Sequence, residues 1–84
     1  MTIYIVAYID NNEIARTELV GAKHDGTARS TIYRTRGIKY IQTKAWNTKI
    51  KTKTDGILSN PLEIMYEVPK DVLTKVDKWI VKQL

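Results

Sequence analysis

The stretch Ile3-Tyr4-Ile5-Val6-Ala7-Tyr8-Ile9 constrains the fold more than any other in this 84-residue chain. At the two-residue period of a strand, Ile3, Ile5, Ala7 and Ile9 fall on one face and Tyr4, Val6 and Tyr8 on the other. Neither face suits water. A strand of this kind is central in its sheet, or has one face covered by a helix or a partner.

Asp10-Asn11-Asn12 is turn chemistry, because Asn tolerates the left-handed backbone. A second strand over 13–20 is expected to return alongside the first. A three-residue loop would set Ile3 against Leu19, Ile5 against Thr17 and Ala7 against Ala15, and so keep Glu18 off the isoleucine face. Gly21 ends that strand. Asp25 is placed to cap a short helix over 26–36, closed by Gly37. Ala28 and Ile32 form its thin apolar side, while Arg29, Tyr33 and Arg36 recur at i, i+4 and i+7 on another.

Residues 38–54 are rich in Ile, Thr, Tyr and Trp and read as strand, either continuous or, preferably, a hairpin turning near Asn47. Asp55-Gly56 marks a turn and Ser59-Asn60-Pro61 a loop. Alternating Leu62, Ile64, Tyr66 and Val68 suggest a further strand over 62–68. The last segment carries the clearest period: Val72, Leu73, Val76, Trp79, Ile80 and Leu84 line one side of a helix that opens at Pro69. The order β-β-α-β-β-β-α implies a single α+β domain over residues 1–84. In it a small antiparallel sheet carries its helices on one face, and the C-terminal amphipathic helix completes the core.

A chain of this size has a narrow margin of stability and often adds a disulfide, a metal or a partner subunit. With no cysteine, disulfides and thiolate metal sites are excluded. The one histidine, His24, makes no zinc site alone, and beside Asp25 it reads as a loop residue before a helix rather than as a catalytic base. Nothing matches a Gly-rich phosphate loop, HExxH, GxSxG or a zinc knuckle. No catalytic residue, metal or cofactor is therefore expected. Packing and self-association, including a homodimer, remain as supports. The N-terminus lacks a basic flank and a cleavage site, and no apolar run approaches a membrane span, so the expected setting is the cytoplasm.

Charge is what points toward function. Between residues 23 and 53 lie nine basic residues and one acid, Asp25, whereas the rest of the chain holds five basic and eight acidic residues. A uniform lysine-rich codon bias would not clear acids from one stretch alone. Segregated charge makes a directional field suited to an anionic partner.

Within it Lys49, Lys51 and Lys53 alternate like the teeth of a comb, with Lys44 and Lys39 before them, and flexible ammonium groups suit phosphate tracking. The competing reading is an edge strand defended with lysine against aggregation. Arg29, Arg34 and Arg36 offer guanidinium forks, and Tyr33 and Trp46 offer rings on which a base could stack. Against these stand a solvated helix face and a core tryptophan.

The expected function is non-enzymatic binding of RNA or single-stranded nucleic acid through the phosphate backbone. The alternative is a protein-binding inhibitor or adaptor that docks on an acidic or RNA-bearing surface. In its size, lysine/isoleucine bias and lack of motifs the chain is similar in style to small accessory proteins of A+T-rich bacteriophages. Some of those neutralise host defence enzymes, including toxin ribonucleases. That resemblance carries no motif and no site residue with it.

Overall fold

A computed structural model describes all residues, 1–84. The elements are β1 (Thr2–Ile9), β2 (Ala15–Ala22), α1 (Asp25–Arg36), a 3-10 turn (Tyr40–Gln42), β3 (Thr43–Lys51), β4 (Gly56–Ile57), α2 (Pro61–Met65) and α3 (Lys70–Gln83). The four strands form one antiparallel sheet in the order β3-β1-β2-β4, which puts β1 inside. The α+β class and the antiparallel sheet agree with the sequence reading.

The helices, however, divide between the two faces. Ile3, Ile5 and Ala7 pack with Leu19, Leu58, Val68, Val72 and Val76 under α3. Tyr4, Val6 and Tyr8 pack with Val20, Ala22, Ala28, Ile32 and Ile38 under α1. Because β1 is apolar on both sides, a one-sided helix layer would leave the tyrosine face in water. The expectation of helices on one face is corrected on that ground. α3 completes one of the two cores, not a single common one.

The β1–β2 hairpin is two residues out from the expected register. Ile5 faces Leu19 and Ala7 faces Thr17, across a five-residue loop. The Asp10 carboxylate lengthens the turn by accepting the backbone N–H of Asn12 and of Ile14, both at 2.9 Å, and Glu13 adopts the left-handed conformation at φ 62°. A shift of two preserves sidedness, so the isoleucine face stays free of charge.

Gly21 does not end β2, which runs on to Ala22. Glycine is required there because a Cβ would lie 1.9 Å from the backbone oxygen of Thr54, where the following loop crosses the strand. His24, not Asp25, occupies the position before α1, with Asp25 in the first turn, and Gly37 closes the helix at φ 68° as expected.

Residues 38–54 form no hairpin. After the 3-10 turn, β3 continues past Asn47 as one strand with a bulge: Asn47 faces Tyr4, but the next pair in register is Lys51 with Thr2. Lys49 supplies the bend at φ 67°. Thr48, 1% exposed, fills the gap by donating its hydroxyl to the Ile3 carbonyl at 2.6 Å and accepting from Ile50 N–H at 3.2 Å. The expected strand over 62–68 is instead α2 and a turn. Pro61 opens α2, and Ile64, Met65 and Val68 meet the core at helical i, i+1, i+4 spacing, leaving Leu62 and Tyr66 outside.

Two stability measurements follow. Gly21→Ala is expected to destabilise by about 1–3 kcal/mol, since backbone rather than a flexible side chain must give way. Lys49→Gly relieves a left-handed cost of ~1–2 kcal/mol against a glycine entropy of ~0.5–1 kcal/mol. It should therefore stabilise by about 0.5–1 kcal/mol in urea unfolding, while Lys49→Val should destabilise.

Candidate nucleic-acid interface

The basic segment folds as the turn before α1, the whole of α1, the 3-10 turn, edge strand β3 and the start of the loop after it. Its side chains separate into two chemical groups. Lys23, Arg34, Lys39, Lys44, Lys49, Lys51 and Lys53 are all exposed. None lies within salt-bridge distance of a carboxylate, for the molecule's ion pairs are Arg16–Asp10 and Arg36–Glu18.

Lys44 shares the face of its partner Ala7, on the α3 side, and Lys51 that of Thr2, on the α1 side. Lys51 donates to the Thr2 hydroxyl at 3.3 Å. The bulge breaks the regular comb of Lys49, Lys51 and Lys53, and Lys53 lies beyond the strand. What results is a border of lysines straddling the β3 edge, not a row on one face. Lys39 and Lys53 flank its two ends. The stretch from Lys44 to Lys51 spans roughly 20 Å at strand rise.

The arginine and aromatic assignments change more. Arg29 is half-buried and acts as a strut: its Nε donates to Thr43 Oγ1 at 3.0 Å and its Nη2 to the Tyr40 carbonyl at 2.9 Å. Its guanidinium carbon stacks 3.8 Å from the Tyr40 ring centroid, a cation–π contact that joins α1 to the 3-10 turn. Arg36 grips Glu18 with both Nε (2.8 Å) and Nη2 (2.6 Å). Neither fork faces outward as a free phosphate clamp.

Trp46 is half-buried against the α3-side core. It packs edge-to-face on Trp79, with centroids 6.0 Å apart and planes at 76°. Its ring packs into the α3-side core and part of its surface stays in solvent. Tyr33 remains exposed on α1, and Arg34 beside it is unpaired.

The sequence reading missed a network at the opposite edge of the sheet. The Tyr8 hydroxyl, buried under α1, donates to Glu18 Oε2 at 2.6 Å, so one carboxylate ties β1, β2 and α1 together. The Arg36 hydrogen bonds hold Glu18 below the usual carboxylate range, and Glu18 in turn raises the Arg36 guanidinium. Burial, then the Glu18 hydrogen bond, pushes the Tyr8 phenol up to about 12. Arg16 pairs with Asp10 at 2.6 Å, which lowers the Asp10 carboxyl. Tyr8, Arg16, Glu18 and Arg36, with Ala15 and Thr17, line an open cleft of about 480 Å³. A lone acid in the second strand, in a chain with an arginine-rich helix, was the available sequence signal.

Comparison with family models, curated proteins and solved structures finds no match for this chain. No helix is long and apolar enough to cross a membrane.

The network fixes a pH dependence. A carboxylate depressed in the folded state stabilises the fold above its unfolded value, near 4.5, and that contribution fades as pH falls through the lower folded value. A phenol raised to about 12 contributes below its unfolded value of 10.0, and its contribution is lost as pH climbs from 10.0 toward 12. Glu18→Gln should therefore flatten the acid limb of the urea midpoint between about pH 3 and 5. An unchanged acid limb would show that Glu18 does not govern it.

Proposed function

We propose that the chain is a non-enzymatic binder of RNA or single-stranded nucleic acid, which holds the phosphate backbone along the lysine border of β3. The observation that carries this reading is the free state of the lysines. Lys39, Lys44, Lys49, Lys51 and Lys53 are exposed without a carboxylate partner along and beside one sheet edge. The carboxylates that form ion pairs sit with arginines at the other edge.

Lysines projecting to both sides of a border can flank a strand of phosphates that runs along it, with no demand on base identity. Arg29, Arg36 and Trp46 have no part in this version of the site; Arg34 and Tyr33 on α1 are auxiliary contacts. Binding is then dominated by counterion release, with weak sequence preference.

The same lysines also guard an open edge against strand pairing. Fluorescence anisotropy with a labelled single-stranded RNA across a salt series separates the two roles. Each lost phosphate contact lowers the salt slope by ~0.7, so replacing Lys49, Lys51 and Lys53 together by Gln should lower it by about 2. An affinity and slope unaffected by the triple substitution would eliminate the nucleic-acid reading.

A second reading, the protein-binding inhibitor or adaptor, draws on a different surface. Leu62 and Tyr66 are 80% and 93% exposed beside an apolar groove that Met65, Val68 and Leu73 help to line. Retention of a protein partner after complete RNA digestion would favour it.

A further inference from the structure

The two outer lanes of the sheet are finished differently, and the difference singles out β2. Antiparallel strands turn successive residues' N–H and C=O alternately toward one neighbour and the other. The Leu19 carbonyl accepts from Leu58 N–H at 2.9 Å, so Leu19 points away from β1. By the same alternation Ala15 and Thr17 direct their backbone N–H and C=O outward. β4 pairs only with Val20 and Gly21, and beyond Leu58 the chain leaves the lane for α2. No hydrogen bond within the chain reaches the outward groups of Ala15 or Thr17.

This vacant lane borders the cleft lined by Tyr8, Arg16 and Arg36. Both guanidinium groups are already fixed in place by carboxylates, Arg16 through Nε and Arg36 through Nε and Nη2. Nη1 and Nη2 of Arg16 and Nη1 of Arg36 stay free, on side chains 53% and 43% exposed. Glu18, by contrast, has both oxygens engaged by Tyr8 and Arg36. The cleft therefore offers donors outward. The β3 edge is interrupted by a bulge and ringed with mobile ammonium groups, features that discourage strand addition.

We propose that the outer edge of β2 at Ala15–Thr17 is a docking lane for an extended acidic segment of a partner protein. The segment would continue the lane of β4 by main-chain hydrogen bonds and place a carboxylate side chain against Arg16 and Arg36. Alternating N–H and C=O groups match a peptide backbone, whereas a phosphate chain has no donors for the two outward carbonyls. Arg16 presents both of its Nη groups to a carboxylate and Arg36 presents Nη1, and these charge-assisted contacts favour an acidic segment. This lane lies at the opposite edge from the lysine border and stands or falls independently of it.

The test is amide-resolved NMR of the full chain, titrated with an acetylated and amidated Val-Glu-Val-Glu-Val peptide. Expected are shifts of the Ala15 and Thr17 amides and of the Arg16 and Arg36 Nε–H signals, with slowed exchange of the two amides. An N-methylated version of the peptide, deprived of its backbone donors, should bind at least tenfold more weakly. So should the glutamate peptide to Arg16→Gln, which removes a charge-assisted contact and leaves the hydrogen bonds of Glu18 to Tyr8 and Arg36 in place.

Three outcomes would overturn the proposal. One is no shift at peptide concentrations up to about 1 mM, a range that captures even weak binding. Another is binding outside the lane, seen as shifts confined to the β3 lysines or as equal affinity for the N-methylated peptide. The third is a single-stranded RNA oligomer that perturbs the Ala15 and Thr17 amides as the peptide does, which would reassign the lane to nucleic acid.

Discussion

Everything else in the molecule follows from the burial of β1 on both sides. Ile3, Tyr4, Ile5, Val6, Ala7 and Tyr8 are each 7% exposed or less, in a chain of 84 residues. Full burial of such apolar side chains is worth roughly 1.5–3 kcal/mol each relative to exposure. That gain can be collected only if the strand lies inside the sheet and both of its faces are covered. β2 and β3 therefore take its two flanks, and α1 and α3 take opposite faces. A domain too small for one large core holds two thin ones that share a single strand.

Covering both faces uses up most of the apolar side chains and leaves polar ones to tie the layers together. Arg29 joins α1 to the turn before β3, and Arg36 joins the other end of α1 to β2 through Glu18 and Tyr8. Arginine suits this work because its planar fork makes several directed hydrogen bonds at once. The lysines of the same segment have point charges on flexible stems and stay in solvent around β3. One basic stretch thus divides by residue type, with Arg29 and Arg36 bonded within the fold and the lysines left in solvent. Arg34, exposed and unpaired, is the exception among the arginines.

Local signals were legible where one period or one residue type decided them. The α3 stripe, the Gly37 cap and the doubly apolar first strand are of that kind, since each rests on spacing alone. The segment 62–68 was not, because five to seven residues satisfy a period of two and a period of 3.6 almost equally. Pro61 and the contacts of Ile64 and Met65 decided it. The bulge at Lys49 was hidden too, since lysine gives no hint of a left-handed backbone, and the Thr48 hydroxyl that supports it bonds a strand forty-five residues away. Of the candidate site, the lysines' exposure could be read from charge. The engagement of Arg29, Arg36 and Trp46 could not, because their partners Thr43, Glu18 and Trp79 are set by register and helix placement.

The sequence alone determined that this is an α+β chain with a central strand apolar on both faces, an amphipathic C-terminal helix and a basic middle third. Those properties depend on composition and short-range spacing, which folding does not alter. Only the tertiary structure decided which positive charges remain free, which are locked to carboxylates, and which sheet edges stay open. A charge or a backbone group is free or satisfied according to its neighbours in space, and antiparallel pairing and helix packing bring together residues that no local pattern connects.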